Sequence, residues 1–263
     1  MTIIREGRSG EDVKRLSTLL GLPSRATCDK KLVEAIKKYQ KSRGLEDDGV
    51  FGYKSWKTLL IEERYSNNPN GKLTDSDYDL FGWLLDCEPE MLRAFVNIES
   101  NGSGFLPSHR PVILFESYQF FKNLKNVGID PYKYIREYSD IITDKWVKNY
   151  QGGEKEWLRL EKATKIHKEA AQKSASWGLL QIMGSNYSLA GEKNIEDFVI
   201  KMSKNEFTQL SLGIEFIKSK GIVPLMISKD FNGMARIYNG PGYAKNGYGL
   251  KLKAEYYKLK RQK

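Results

Sequence analysis

The chain has 263 residues, 40% of them apolar and 12% aromatic, which is enough to fill one large or two smaller cores and excludes a disordered tail. Its 43 Lys and Arg against 33 Asp and Glu leave a net charge of +10, which favours anionic partners (nucleic acid, phospholipid headgroups, acidic envelope polymers) without choosing among them. No run approaches the roughly 18 uninterrupted apolar residues of a membrane span, Met1–Gly7 lacks the apolar stretch of a signal peptide, and Cys28, Cys87, His109 and His167 are too few for a disulfide framework or a transition-metal site. The expectation is a protein made in the cytosol, with reduced thiols and neither metal nor other cofactor.

In chain order, Glu11 begins a helix whose Val13, Leu16, Leu19 and Leu20 follow helical spacing, stopped by Gly21 and Pro23. A second helix is expected from about Asp29 to Arg43, with Leu32, Ile36 and Tyr39 on one face and Gly44 as the stop. A tight turn, Asp47-Asp48-Gly49-Val50-Phe51-Gly52, leads into a short helix carrying Trp56, Leu59 and Leu60. Gly and polar residues then crowd 65–73, which reads as a linker between a front module, 1–64, and a back module, 74–263.

The order Gly10-Glu11-Asp12-Val13, Leu19-Leu20-Gly21, Tyr39-Gln40-Lys41-Ser42-Arg43-Gly44-Leu45 and Asp48-Gly49-Val50-Phe51-Gly52 resembles the three-helix peptidoglycan-binding domain of cell-wall hydrolases. The resemblance covers nearly all of residues 5–60 and implies peptidoglycan as partner. One departure stands out: the family repeats its Asp-Gly-x-Phe-Gly turn before the second helix, and this chain has Arg25-Ala26-Thr27-Cys28-Asp29 there.

The back module opens with a helix over Thr74–Asp86, with Thr74 as cap. The next helix starts near Pro89, and its Leu92, Phe95 and Val96 form an apolar stripe at i, i+3 and i+4. The i+7 position is Glu99. A carboxyl group that continues a buried stripe at a helix C-terminus is disfavoured as an anion by desolvation and by the helix dipole. A Glu kept protonated near neutral pH can donate to a departing glycosidic oxygen.

Three segments follow in the order shared by soluble lytic transglycosylases and goose-type lysozymes: Glu99-Ser100 at a helix end, Gly178-Leu179-Leu180-Gln181-Ile182-Met183 as a further helix, and an Ala235-Arg236-Ile237-Tyr238-Asn239-Gly240 turn. With Ile98-Glu99-Ser100-Asn101-Gly102, Arg110-Pro111-Val112-Ile113-Leu114-Phe115-Glu116, Ser174-Ala175-Ser176-Trp177-Gly178 and Tyr238-Asn239-Gly240-Pro241-Gly242-Tyr243, nearly the whole back module resembles the N-acetylmuramidase domain of modular phage endolysins. The resemblance implies a two-domain, mainly α-helical protein with a lysozyme-like catalytic domain and at most a small β element near 103–115. It also implies cleavage of the β-1,4 bond between N-acetylmuramic acid and N-acetylglucosamine, with Glu99 as catalytic acid, and host lysis once the membrane is breached.

Glycosidases commonly use a second carboxylate. Glu116 is the best candidate by sequence, with a structural Glu paired to Arg110 or to backbone as the equal alternative; His109 is a weaker candidate for orienting water. Ser176, Gln181, Tyr238, Asn239 and Tyr243 suit sugar binding, supplying planar hydrogen-bonding groups and aromatic faces, while Tyr238 also fits a core role, Tyr248 stacks on sugar or covers the core, and Trp177 reads as packing. Glu154–Lys173 reads as one helix, and Phe207, Leu210, Ile214 and Ile217 mark another. The basic tail 250–263 reads as a terminal helix packing Tyr256 and Leu259, with contact to an anionic envelope as the alternative. Rival functions are a lytic transglycosylase and a non-catalytic wall-binding or virion protein; nucleic-acid binding lacks a recognition motif, and a monomer is expected.

Overall fold

The computed structural model describes residues 2–67, 71–240 and 247–262, with the side chains of 65–67 excepted. The chain is mainly helical and divides into two compact units, Met1–Pro69 with Trp83–Asp86, and Asn70–Gly82 with Cys87–Lys263. Residues 68–70 of the expected linker lie outside the described residues.

The first unit holds α1 (Glu11–Leu19), α2 (Lys30–Ser42) and α3 (Tyr53–Asn67). Their apolar faces bury Val13, Leu16, Leu32, Ile36, Trp56 and Leu60. Asp29 caps α2 by accepting from the Leu32 N–H at 2.9 Å. The extended start of the chain pairs with both inter-helix turns, through bridges Ile4 to Phe51 and Ser9 to Thr27. Cys28 exchanges backbone hydrogen bonds with Gly7 and Arg8 and is buried, as Phe51 is where it pairs with Ile4. The half that lacks the Asp-Gly-x-Phe-Gly residues therefore keeps an equivalent backbone pairing, with a smaller side chain filling the core. Gln40, 2% exposed, fixes the other turn by accepting from Gly49 N–H and donating to Asp48 and the Val50 carbonyl.

In the second unit, α4 (Asp75–Leu85, its last residues counted with the first unit) starts at Thr74, but the cap works in reverse of the expectation. Asp77 accepts from both the Thr74 N–H and its hydroxyl, at 2.7 and 2.9 Å, the returning half of a capping box. Helix α5 (Pro89–Ser100) follows, then β1 (Ile113–Phe115), α6 (Ser117–Asn126) and the short α7 (Tyr132–Ile135). The run expected as one helix over 154–173 is two, α8 (Glu154–Thr164) and α9 (Lys168–Lys173). The break falls at His167, whose Nδ1 accepts from the Ala170 N–H and caps α9.

Strands β2 (Ala175–Trp177) and β3 (Ile182–Met183) complete an antiparallel sheet of order β1-β2-β3, pairing Leu114 with Ser176 and Ser176 with Met183. The segment 178–183 is thus the turn and return strand of a hairpin, which corrects the helix expected there. Its residues Gly178 and Gln181 both adopt positive φ, 67° and 42°, which a continuous helix excludes.

The chain continues through α10 (Ile195–Met202), α11 (Glu206–Ser219), α12 (Val223–Ile227), α13 (Phe231–Asn239) and α14 (Tyr248–Arg261). Helix α14 packs on α5 and α13 and buries Leu252, Tyr256 and Leu259. Phe95, Phe115, Phe120, Trp177 and Phe198 are fully enclosed in this unit's core, each burial stabilising by roughly 2 kcal/mol. No described helix is long and apolar enough to cross a membrane.

Candidate active site

The stripe Leu92, Phe95 and Val96 seats α5 in the core and carries Glu99 to the helix's last turn. Asn101 ends the helix in the left-handed conformation, φ 51°, its N–H bonded to the Asn97 carbonyl at 3.1 Å. Burial desolvates the Glu99 carboxyl group and pushes its pKa up to about 7, against the opposing pull of a hydrogen bond from Tyr248. The Tyr248 hydroxyl donates to Glu99 Oε1 at 2.5 Å, and Oε2 is left to carry the proton.

Tyr248 opens α14 and is itself held on two sides. Its ring stacks on Tyr238, with centroids 6.1 Å apart and planes 16° from parallel, and its hydroxyl is also a hydrogen-bond partner of Asn239. Burial and then the Glu99 charge raise its pKa far above the ordinary tyrosine value, so it acts only as a neutral donor. Tyr238 lies against Phe95 of α5 at 5.2 Å and donates its hydroxyl to the Leu180 carbonyl at the hairpin turn. Glu99, Tyr238 and Asn239 are therefore one network, and the three sequence segments meet through it.

Ser176 and Gln181 are placed beside that turn but take each other as partners. The Ser176 hydroxyl donates to Gln181 Oε1 at 2.9 Å, and Gln181 Nε2 donates to the Gly178 and Val112 carbonyls. Tyr243 lies outside the described residues. His109 is exposed, with φ 62°, in the turn where its N–H bonds to the Leu106 carbonyl.

Glu116 sits at the junction of β1 and α6, half-buried, its pKa raised by burial with Lys122 opposing. The pairing with Arg110 considered for it does not occur: Arg110 bonds to Glu161 at 2.7 Å and covers Trp157. Trp177 is fully buried, donating to the Gln172 carbonyl.

Two buried residues of α11 fix the loop beyond Glu99 and were not singled out from sequence. Gln209 donates to the Gly104 carbonyl at 3.1 Å and accepts from Leu179 N–H at 3.0 Å, joining the loop after α5 to the hairpin turn. Glu206 accepts from Gly104 N–H at 2.9 Å. A Cβ on Gly104 or Gly178 would stand 2.0 or 2.8 Å from Gln209 Oε1, and Gly178 also needs its positive φ. The two glycines were visible; what approached them was not. Among the described residues no group of three or more His, Cys, Asp or Glu is placed to hold a metal ion.

The family profile for N-acetylmuramidases matches residues 88–260, from the first turn of α5 to the end of α14. The chain belongs to the N-acetylmuramidase family. It is accordingly a glycoside hydrolase acting on peptidoglycan. The crystal structure of the Burkholderia AP3 phage endolysin is similar over 100% of this chain and 99% of that one, with a TM-score of 0.65 and 31% sequence identity. No curated protein matches the chain.

Proposed function

We propose that Glu99 is the general acid of this muramidase. The observation that carries the reading is a desolvated carboxyl group, with pKa near 7, at the point where the three motif segments meet. Protonated Glu99 donates from Oε2 to the oxygen leaving N-acetylmuramic acid, and the Tyr248 hydroxyl stabilises the carboxylate that remains. Tyr238 and Asn239 fix Tyr248, while Ser176 and Gln181 hold the shape of the hairpin turn facing the glycan. Tyr243 supplies an aromatic face. We also propose Glu116, half-buried at the junction of β1 and α6, as the second carboxylate of the reaction.

The test is mass spectrometry of fragments released from purified peptidoglycan by the wild type and by Glu99→Gln. Reducing-end muramic acid, lost in the variant, is expected. Anhydro-muramic ends, lighter by one water, would make the reaction a transglycosylation, and fragments independent of Glu99 would remove it as the acid.

Three further parts complete the reading. The first unit binds peptidoglycan, supported by its three short helices and paired turns; pull-down of residues 1–69 on purified wall is the check. The protein acts as an endolysin, building up in the host cytosol as a monomer and reaching the wall after membrane permeabilisation, as its similarity to the AP3 endolysin suggests. Cell fractionation and light scattering test those points. Helix α14 turns Leu250 and Tyr257 outward among lysines, a face suited to weak contact with the anionic envelope.

A further inference from the structure

A cavity of about 750 Å³ lies against the loop that leaves α5, and every residue lining it belongs to the second unit. That is the size of a small-ligand site. Its walls come from three stretches distant in sequence: Lys72 just before α4, residues within 103–109 beyond Glu99, and 203–206 between α10 and α11. Hydrogen bonds hold these walls together. Glu206 accepts from Leu73 N–H at 3.1 Å through Oε2 and from Gly104 N–H at 2.9 Å through Oε1, so one carboxylate ties the first wall to the second. Gln209 donates to the Gly104 and Met202 carbonyls, at 3.1 and 2.8 Å, and ties the second to the third. The loop closes on itself where Leu106 N–H bonds to the Arg110 carbonyl and His109 N–H to that of Leu106. Walls fixed before a ligand arrives lose little ordering entropy on binding it.

The lining is cationic and partly apolar. Lys72, Lys204 and His109 supply N–H donors, and Phe105 and Leu106 supply apolar surface. The carboxylate in the lining, Glu206, already has a backbone donor on each oxygen. The glycan of peptidoglycan does not match such a lining, because N-acetylglucosamine is uncharged and the lactyl carboxyl of N-acetylmuramic acid is consumed in the amide bond to its peptide. The stem peptides do match it. They carry free carboxylates beside small apolar side chains, and each leaves the strand from the muramic acid whose glycosidic bond a muramidase cleaves.

We infer that this cavity binds the stem peptide of peptidoglycan, with Lys72 and Lys204 drawing its carboxylates and Phe105 and Leu106 meeting its apolar part, so that the enzyme prefers peptide-bearing glycan to bare strands. The inference rests on the muramidase reading for the identity of the polymer. Since the lining loop begins where the helix of Glu99 ends, peptide binding also helps to place the strand against the acid.

The experiment uses the full chain and two substrates: soluble, uncrosslinked glycan strands bearing their peptides, and the same strands after amidase digestion, both freed of phosphate polymers. Release of reducing ends gives kcat and KM. The wild type is expected to show a KM about five- to tenfold lower on the peptide-bearing strands. Combining Lys72→Gln with Lys204→Gln should raise that KM to the peptide-free value, with kcat within about twofold and cleavage of bare strands unchanged. Isolated stem peptides should compete with the wild type and not with the double variant. Equal KM on both strands in the wild type would overturn the site, as would an equal loss on both in the variant, which would mean only long-range attraction to a basic protein. A preference that appears only when phosphate polymers are left on the strands would assign the cavity to phosphate and overturn it too. Failure of the hydrolase reading would show separately, as cleavage that persists in Glu99→Gln.

Discussion

Glu99 and Glu156 are both glutamates removed from water in the second unit, and their protonation runs in opposite directions. Glu156 is fully buried, but it accepts from Gln151, Gly152 and Phe115 N–H groups and pairs with Arg159 at 2.8 Å. Burial alone would raise its pKa; the backbone hydrogen bonds from Gly152 and Gln151 and the Arg159 charge outweigh it and hold the group ionised. Glu99 has one phenol as donor, and burial wins. The number of donors aimed at a carboxylate, more than its depth, decides whether it is a structural anion or a usable acid.

The comparison can be broken at either end. The largest effect is expected from Glu99→Gln, which keeps size and hydrogen bonding but cannot donate an acidic proton: lysis of purified wall should fall by at least about 10²-fold with circular dichroism unchanged. Arg159→Met leaves the Glu156 carboxylate buried without its counter-charge and should cost about 3–5 kcal/mol in denaturant unfolding. Since Arg159 also bonds the Phe115 and Asp140 carbonyls and Asn149, the junction bearing Glu116 should loosen with it.

The opposite shifts also give opposite pH signatures. The raised pKa of Glu99 contributes stability that is complete below its ordinary value of 4.5 and gone once pH passes about 7, a difference of up to about 3 kcal/mol. Glu99→Gln should therefore raise Tm more at pH 8 than at pH 5. The lowered pKa of Glu156 contributes stability present above 4.5 and lost as pH falls further. The smallest expected effect is that of Tyr248→Phe. Removing the hydrogen bond that lowers the pKa of Glu99 should move the alkaline limb of activity to higher pH and reduce kcat by about three- to tenfold. An unmoved limb would show that Tyr248 only packs.

Much of this was legible in the sequence where chemistry is local. Helical spacing placed α1, α2, α5 and α11, and put Glu99 at the end of a buried stripe. The order of motifs pointed to the fold class, and Tyr256 and Leu259 were expected in the core of the terminal helix. The losses came where the decisive contact is distant. Tyr248 reaches Glu99 across 149 positions, and Gln209 reaches Gly104 across 105, with no periodicity to announce either. The hydrogen bond between Ser176 and Gln181 was equally silent, because polar side chains look free in a sequence until their partners are known. The hairpin over 175–183 was hidden because Leu179, Leu180 and Ile182 suit a helix as readily as a buried turn and strand.

The most direct measurement of the central claim is a carboxyl ¹³C NMR titration of the glutamate-labelled protein, with Glu99 assigned by comparison with Glu99→Gln. The structure predicts one carboxyl group that disappears in the variant and titrates near pH 7. A Glu99 resonance titrating near 4.5 would contradict it, leaving the network around Tyr248 as packing and the proton donor elsewhere.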